Sequence, residues 1–133
     1  MATTDETPAV TGYALDSAWH AERERLDSLT RLYDPDTLEL LGQLGVSTGW
    51  RCLDVGAGTG SLATQLATLV APTGQVTALD VDTRFLAPLA SAVLDVVALD
   101  VTQEALPEAQ FDLVHARLVL EHLTQRDAVL AAM

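Results

Sequence analysis

Basic residues are scarce in this chain: 7 lysines and arginines stand against 19 aspartates and glutamates in 133 residues, a formal net charge of -12. Such a field repels phosphate backbones and anionic lipid surfaces, so neither nucleic acid nor a membrane is an expected partner. Cys52 is the only cysteine, which excludes an intrachain disulfide and is compatible with a reducing, cytoplasmic setting. It lies beside an apolar segment and reads as a packing residue. Three scattered histidines and one cysteine give no zinc spacing, so no metal is expected. No apolar run approaches the roughly 18 residues of a membrane span, and no basic-then-apolar leader opens the sequence. Internal repeats and low-complexity tracts are absent, and the length suits one domain with a core.

What is present alternates between two periodicities. Residues 1–12 are polar and threonine-rich and are expected to be mobile. Ser17 to Leu32 reads as a helix with Trp19, Leu26, Leu29 and Leu32 near one face. Asp34-Pro35 is expected to open a second helix with Leu38, Leu41 and Leu44 on a stripe, ended by Gly45. Four short apolar segments follow as strands: Arg51–Val55, Gln75–Asp80, Asp95–Val101 and Phe111–His115. Helices are expected over Gly60–Val70, Thr83–Ala92 and Thr124–Met133, the last with Thr124 as N-cap and Asp127 near a capping-box position. Strands alternating with helices imply an α/β fold with a parallel sheet and right-handed crossovers. Ligands in such sheets bind beyond the carboxyl ends of the strands. Asp54, Asp80, Asp100 and His115 all fall at or near such ends.

The run Leu53-Asp54-Val55-Gly56-Ala57-Gly58-Thr59-Gly60-Ser61 is the most specific signal. Glycines at alternate positions strip the turn of Cβ atoms, so a ligand can approach the backbone, and the following helix offers the positive end of its dipole. The dinucleotide fingerprint Gly-x-Gly-x-x-Gly is not met, because Ser61 stands where its third glycine belongs. Asp54 repels a pyrophosphate and attracts a cationic ligand. Asp80 follows Gly60 by 20 residues, where an acid at a strand end accepts bonds from ribose hydroxyls.

Asp-x-Gly-x-Gly-x-Gly at 54–60, the acids closing strands two and three, and Phe111-Asp112-Leu113-Val114 in strand four resemble the class I S-adenosylmethionine-dependent methyltransferases. The resemblance runs from about Tyr13 to Met133. It implies a Rossmann-like, doubly wound, mostly parallel sheet with N-terminal helices, in strand order 3-2-1-4. By the same resemblance residues 13–48 form a helical cover and 49–133 the cofactor-binding half of a methyltransferase domain. S-adenosyl-L-methionine is the implied cofactor and S-adenosyl-L-homocysteine its product.

The implied ligand set follows residue by residue. Gly56, Ala57, Gly58 and Gly60 give backbone approach to the methionine part, and Asp54 reaches its ammonium. Asp80 and Val81 take the ribose, Asp100 and Val101 the adenine. Ala116 and Arg117 line the methionine end, while Tyr13 belongs to the cover. His122 is the candidate general base for an acceptor hydroxyl. Turn architecture, strand-end solvation, loop capping at Asp100, an ion pair at Arg117 and packing at His122 are the corresponding structural alternatives.

Members of this family are usually longer and add further strands after the fourth. The chain is therefore expected to be truncated after strand four, either a fragment or a protein that closes its sheet by self-association through the exposed edge. The expected function is methyl transfer to a small organic acceptor. A non-catalytic cofactor-binding module and a nicotinamide-dependent oxidoreductase are the alternatives, the second opposed by Ser61 and Asp54.

Overall fold

The computed structural model describes residues 12–108 and 110–133, except for the side chains of 12–17. The terminal segment expected to be mobile therefore lies outside the described residues, apart from Gly12. The elements are α1 (Gly12–Gln43), β1 (Arg51–Val55), α2 (Ser61–Val70), β2 (Gln75–Asp80), β3 (Leu94–Ala98), β4 (Leu113–Ala116) and α3 (Arg126–Ala132), with single 3-10 turns at Ala87–Leu89 and Leu120–His122.

The four strands form one parallel sheet in the order β3-β2-β1-β4. This is the class I methyltransferase-type arrangement that the resemblance implied. Alternation along each strand divides the core. Cys52, Val76, Ala78 and Leu94 face α2, whose Leu62, Leu66 and Val70 pack upon them. Leu53, Val55 and Leu79 face the other way, against Leu99, Leu106, Phe111 and Val114 from segments that carry no helix. Cys52 is fully buried among apolar neighbours, which pushes its thiol up to about 11, with the negative charges of Asp112 and Asp54 adding to the effect.

The N-terminal segment differs from its expectation. One continuous helix runs from Gly12 to Gln43 with Pro35 inside it, where two helices were expected. Proline removes a helical donor, but Pro35 lies on the exposed side. On the opposite side Asp34 is held by residues of α2 and by Arg117, and these contacts keep the helix in line. The continuous register leaves Leu32 and Leu44 exposed, at 65% and 58%, instead of on a buried stripe. Gly45, with φ 90°, ends the helix as anticipated.

Other boundaries move as well: β4 runs over Leu113–Ala116, where a strand over 111–115 was expected. The segment 83–92 makes one turn, with Leu86 and Ala87 donating to the Thr83 carbonyl, and then only the 3-10 turn. Pro88 has no N–H to continue it. β3 ends at Ala98 because Asp100 bonds the Thr102 amide and hydroxyl and turns the chain. α3 begins at Arg126 with Gln125 as its N-cap; Thr124, the expected cap, donates its hydroxyl to Gln125 Oε1 at 2.8 Å instead.

Candidate functional site

A cavity of about 630 Å³ opens at the carboxyl ends of the strands, between the sheet and α1. That volume lies within the usual range for small-molecule sites, about 300–1,000 Å³. Its floor is the turn 56–59 with Asp54, Asp80, Asp100 and His115; its roof is Arg25, Leu26, Leu29, Thr30 and Tyr33 of α1.

Two groups of contacts hold that roof. Toward the N-terminus, Trp19 stacks on Phe85 with ring centroids 5.1 Å apart, and the Arg23 guanidinium lies 5.2 Å from the same ring. Toward the C-terminus, Asp34, only 6% exposed, accepts bonds from Ser61 Oγ at 2.7 Å, Gln65 Nε2 at 3.0 Å and Arg117 at 2.7 Å. Arg117 also donates to Thr37 Oγ1 at 2.9 Å. Ser61, which breaks the dinucleotide fingerprint, thus ties α2 to the cover helix.

The three motif glycines all have positive φ, at 72°, 62° and 81°, yet they serve different ends. A Cβ at Gly56 would lie 2.4 Å from Val119 Cγ2, and one at Gly60 2.6 Å from Leu89 Cδ1. A side chain at either position would have to displace a neighbouring methyl group, in addition to adopting a left-handed backbone. A Cβ at Gly58 meets no heavy atom nearer than Leu26 Cδ2 at 3.9 Å, so there the absent side chain keeps the cavity open. The amides of Gly56 and Ala57 both donate to the Leu79 carbonyl, at 2.8 and 2.9 Å.

Asp80 is pre-positioned at the end of β2. Its Oδ2 accepts from the Gly58 amide at 2.9 Å and its Oδ1 from the Asp82 amide at 3.1 Å. A carboxylate has about four acceptor sites, so each oxygen keeps capacity for a ligand donor. Asp82 is held below the usual carboxylate range by bonds from the Arg84 side chain and backbone. Asp100 is lowered in the same way by the Thr102 hydroxyl and amide, so it caps its loop while also lining the cavity. Asp54, 3% exposed, meets His115 Nδ1 at 3.0 Å.

The described lining includes six carboxylates, on Glu22, Asp54, Asp80, Asp82, Asp100 and Glu121, but only two guanidinium groups. Both of these are engaged, Arg25 with Glu22 and Arg117 with Asp34. The site therefore favours a neutral or cationic ligand over a pyrophosphate.

Most residues singled out in the sequence converge here: Asp54, Gly56, Ala57, Gly58, Asp80, Val81, Asp100, Val101, Arg117 and His122 all line the cavity. Gly60 packs beneath the turn, and Ala116 packs on the far face of the sheet. Tyr13 falls in the first turn of α1, and its side chain lies outside the described residues. His122 sits at the rim, its side chain 74% exposed and 3.4 Å from Glu121. In the sequence Asp34 is marked only as a helix start, and no short-range pattern marks its partners, which lie 27 to 83 residues away. Leu118, which the sequence marks only as apolar, lines the cavity with φ 58°, a strained backbone for a bulky side chain.

A family profile described as "Methyltransferase domain" matches residues 53–133. Together with the sheet order and the carboxylate-lined cavity, it places this chain in the class I S-adenosylmethionine-dependent methyltransferase family. S-adenosyl-L-methionine is the cofactor of that family. The chain is 34% identical over 111 residues to the ubiquinone/menaquinone biosynthesis C-methyltransferase UbiE of Pseudomonas putida, a match covering 77% of this chain and 42% of that protein. It is 35% identical over 99 residues to the UbiE protein of Cupriavidus taiwanensis, covering 70% of this chain and 41% of that one. The chain thus spans less than half the length of these curated relatives. A SAM dependent methyltransferase from Aquifex aeolicus shares the fold with a TM-score of 0.67 at 24% identity, over 82% of this chain and 62% of that one. The [4+2]-cyclase SpnF aligns with a TM-score of 0.56 at 26% identity, over 65% of this chain and 34% of that one.

Proposed function

We propose that this chain is the cofactor-binding portion of an S-adenosylmethionine-dependent methyltransferase that acts on a small organic acceptor. The observation that carries the reading is Asp80, held at the end of β2 by two backbone amides and facing the open side of Gly58. When bound, S-adenosylmethionine supplies a methyl group already activated on a sulfonium. Asp80 accepts the ribose hydroxyls, with Val81 beside them, and Asp100 and Val101 take the adenine end. Asp54 faces the ammonium, beside the backbone of Gly56, Ala57 and Gly58. The cover helix excludes water and holds donor and acceptor in line, the kind of positioning that contributes on the order of 7–11 kcal/mol at its favourable limit. His122, at the rim beside Glu121, removes the acceptor proton where the acceptor is a hydroxyl. The names of the relatives point to a quinone precursor methylated at carbon.

A second reading is a module that binds the cofactor without turnover. It draws on the coverage of only 42% of the UbiE relative's length. Incubation with S-adenosylmethionine and a panel of phenolic and quinol acceptors, followed by quantification of S-adenosylhomocysteine, tests the choice. Acceptor-dependent product supports the enzyme; binding without product across the panel supports the module.

Self-association belongs to the same proposal. Among the described strands β4 pairs only with β1, so its outer edge has no strand partner. A symmetric homodimer closes that edge. Light scattering over a dilution series tests it, and a monomer at every concentration rejects it.

A further inference from the structure

We propose that His115 is a positioning residue of the cofactor site: through Asp54 it sets the carboxylate that receives the cationic amino-acid end of the ligand. The inference rests on the reading of this cavity as an S-adenosylmethionine site. It begins with register. Asp54 and His115 are directly opposite in the parallel β1–β4 ladder, so their side chains leave the same face of the sheet. That face is the one that packs α2, because Cys52 and Leu113, two residues before each, join its core. The two side chains are 5% and 15% exposed, and Nδ1 lies 3.0 Å from Oδ1.

An ionised carboxylate can only accept, so the His115 nitrogen facing it carries the proton, and the ring orientation is fixed by that bond. Burying a carboxylate is costly unless its oxygens find donors or counter-charge. Among the described residues His115 is the one side-chain donor that meets Asp54, and none meets Oδ2. That oxygen is not sealed off, since among the described residues no buried side-chain oxygen lacks a partner and Asp54 borders the cavity. The nearby Arg117 is committed to Asp34 and Thr37 and supplies no counter-charge here. A ligand ammonium completes the set: His115 holds one oxygen while the other faces the cation. Without the imidazole the carboxylate rotates freely, and part of the ligand's binding energy goes into ordering it.

Paired ligands test this by calorimetry. S-adenosylhomocysteine carries the amino-acid end; 5′-methylthioadenosine has the same adenosine and thioether but lacks it. For His115→Leu we expect about a tenfold loss of S-adenosylhomocysteine affinity with less than a twofold change for 5′-methylthioadenosine. His115→Asn presents an amide donor close to the position of Nδ1 and should keep both affinities within about threefold of wild type. His115→Val, suited to a strand, replaces the Leu variant should that not fold. Equal losses for both ligands would reduce His115 to a packing residue and overturn the proposal, as would no loss for either. If the wild-type chain binds neither ligand, the cofactor reading itself falls and takes this inference with it. If the wild type binds both and the variants do not discriminate, only the role of His115 is lost.

Discussion

Asp34 on the cover helix and Arg117 just after β4 meet at 2.7 Å across 83 residues of chain. This bond and the Ser61 and Gln65 contacts join three elements that otherwise touch the cavity separately: α1, the start of α2 and the turn after β4. Arg117→Met keeps the aliphatic stem and removes the charge, leaving a buried carboxylate short of its strongest donor. A loss of about 2 kcal/mol is expected, within the range for orphaning a buried polar group. A lower urea midpoint at constant m-value checks it. Adding Asp34→Asn should recover part of that loss, because the unpaired charge is then gone.

The glycine turn yields a split between folding and binding. Gly60→Ala drives a Cβ to within 2.6 Å of Leu89 and 2.8 Å of Leu86. Both are tips of flexible side chains, so the clash adds a modest overpacking cost to the roughly 1–2 kcal/mol of the left-handed backbone, and should appear chiefly as a lower Tm. Gly58→Ala pays only the left-handed backbone cost of roughly 1–2 kcal/mol, since its Cβ meets no protein atom nearer than 3.9 Å. It projects into the cavity instead, so ligand affinity should fall further than stability accounts for. Thermal melts run beside ligand titrations separate the two.

Cys52 sets an alkaline limit. Burial raises its thiol from 9.0 to about 11, so between those values the unfolded chain sheds a proton that the folded chain retains. Stability from this group is full below about pH 9 and declines as pH rises toward 11. Urea midpoints measured from pH 8 to 10.5 should fall for the wild type and fall less for Cys52→Ala. A thiol reagent at pH 8 should label Cys52 only after denaturation, as the side chain is fully buried.

Strands and their terminal acids were legible because each is a local pattern: a short apolar run closed by Asp54, Asp80 or Asp100, with glycines after the first. Their parallel pairing followed from βαβ logic, whereas their order followed from the family resemblance alone. The cover helix was not legible as one element, because Pro35 is a local breaker while the contacts that override it come from Ser61, Gln65 and Arg117. Similarly, the short turn at 87–89 reflects Pro88 outweighing the helical spacing of Phe85, Leu86 and Leu89. The partnership of Asp54 and His115 depends on the register between β1 and β4, which neither strand carries alone.

In the proposed function Asp80 is the residue through which the cavity takes the S-adenosylmethionine skeleton. The most direct measurement is a calorimetric titration of the chain with S-adenosylhomocysteine, repeated for Asp80→Asn and with NAD in place of the first ligand. Expected is saturable one-site binding of S-adenosylhomocysteine and none of NAD. Loss of the Asp80 charge should weaken binding by about 1.5–3 kcal/mol, roughly 10- to 150-fold. Absence of S-adenosylhomocysteine binding, or an affinity unchanged in Asp80→Asn, would contradict it.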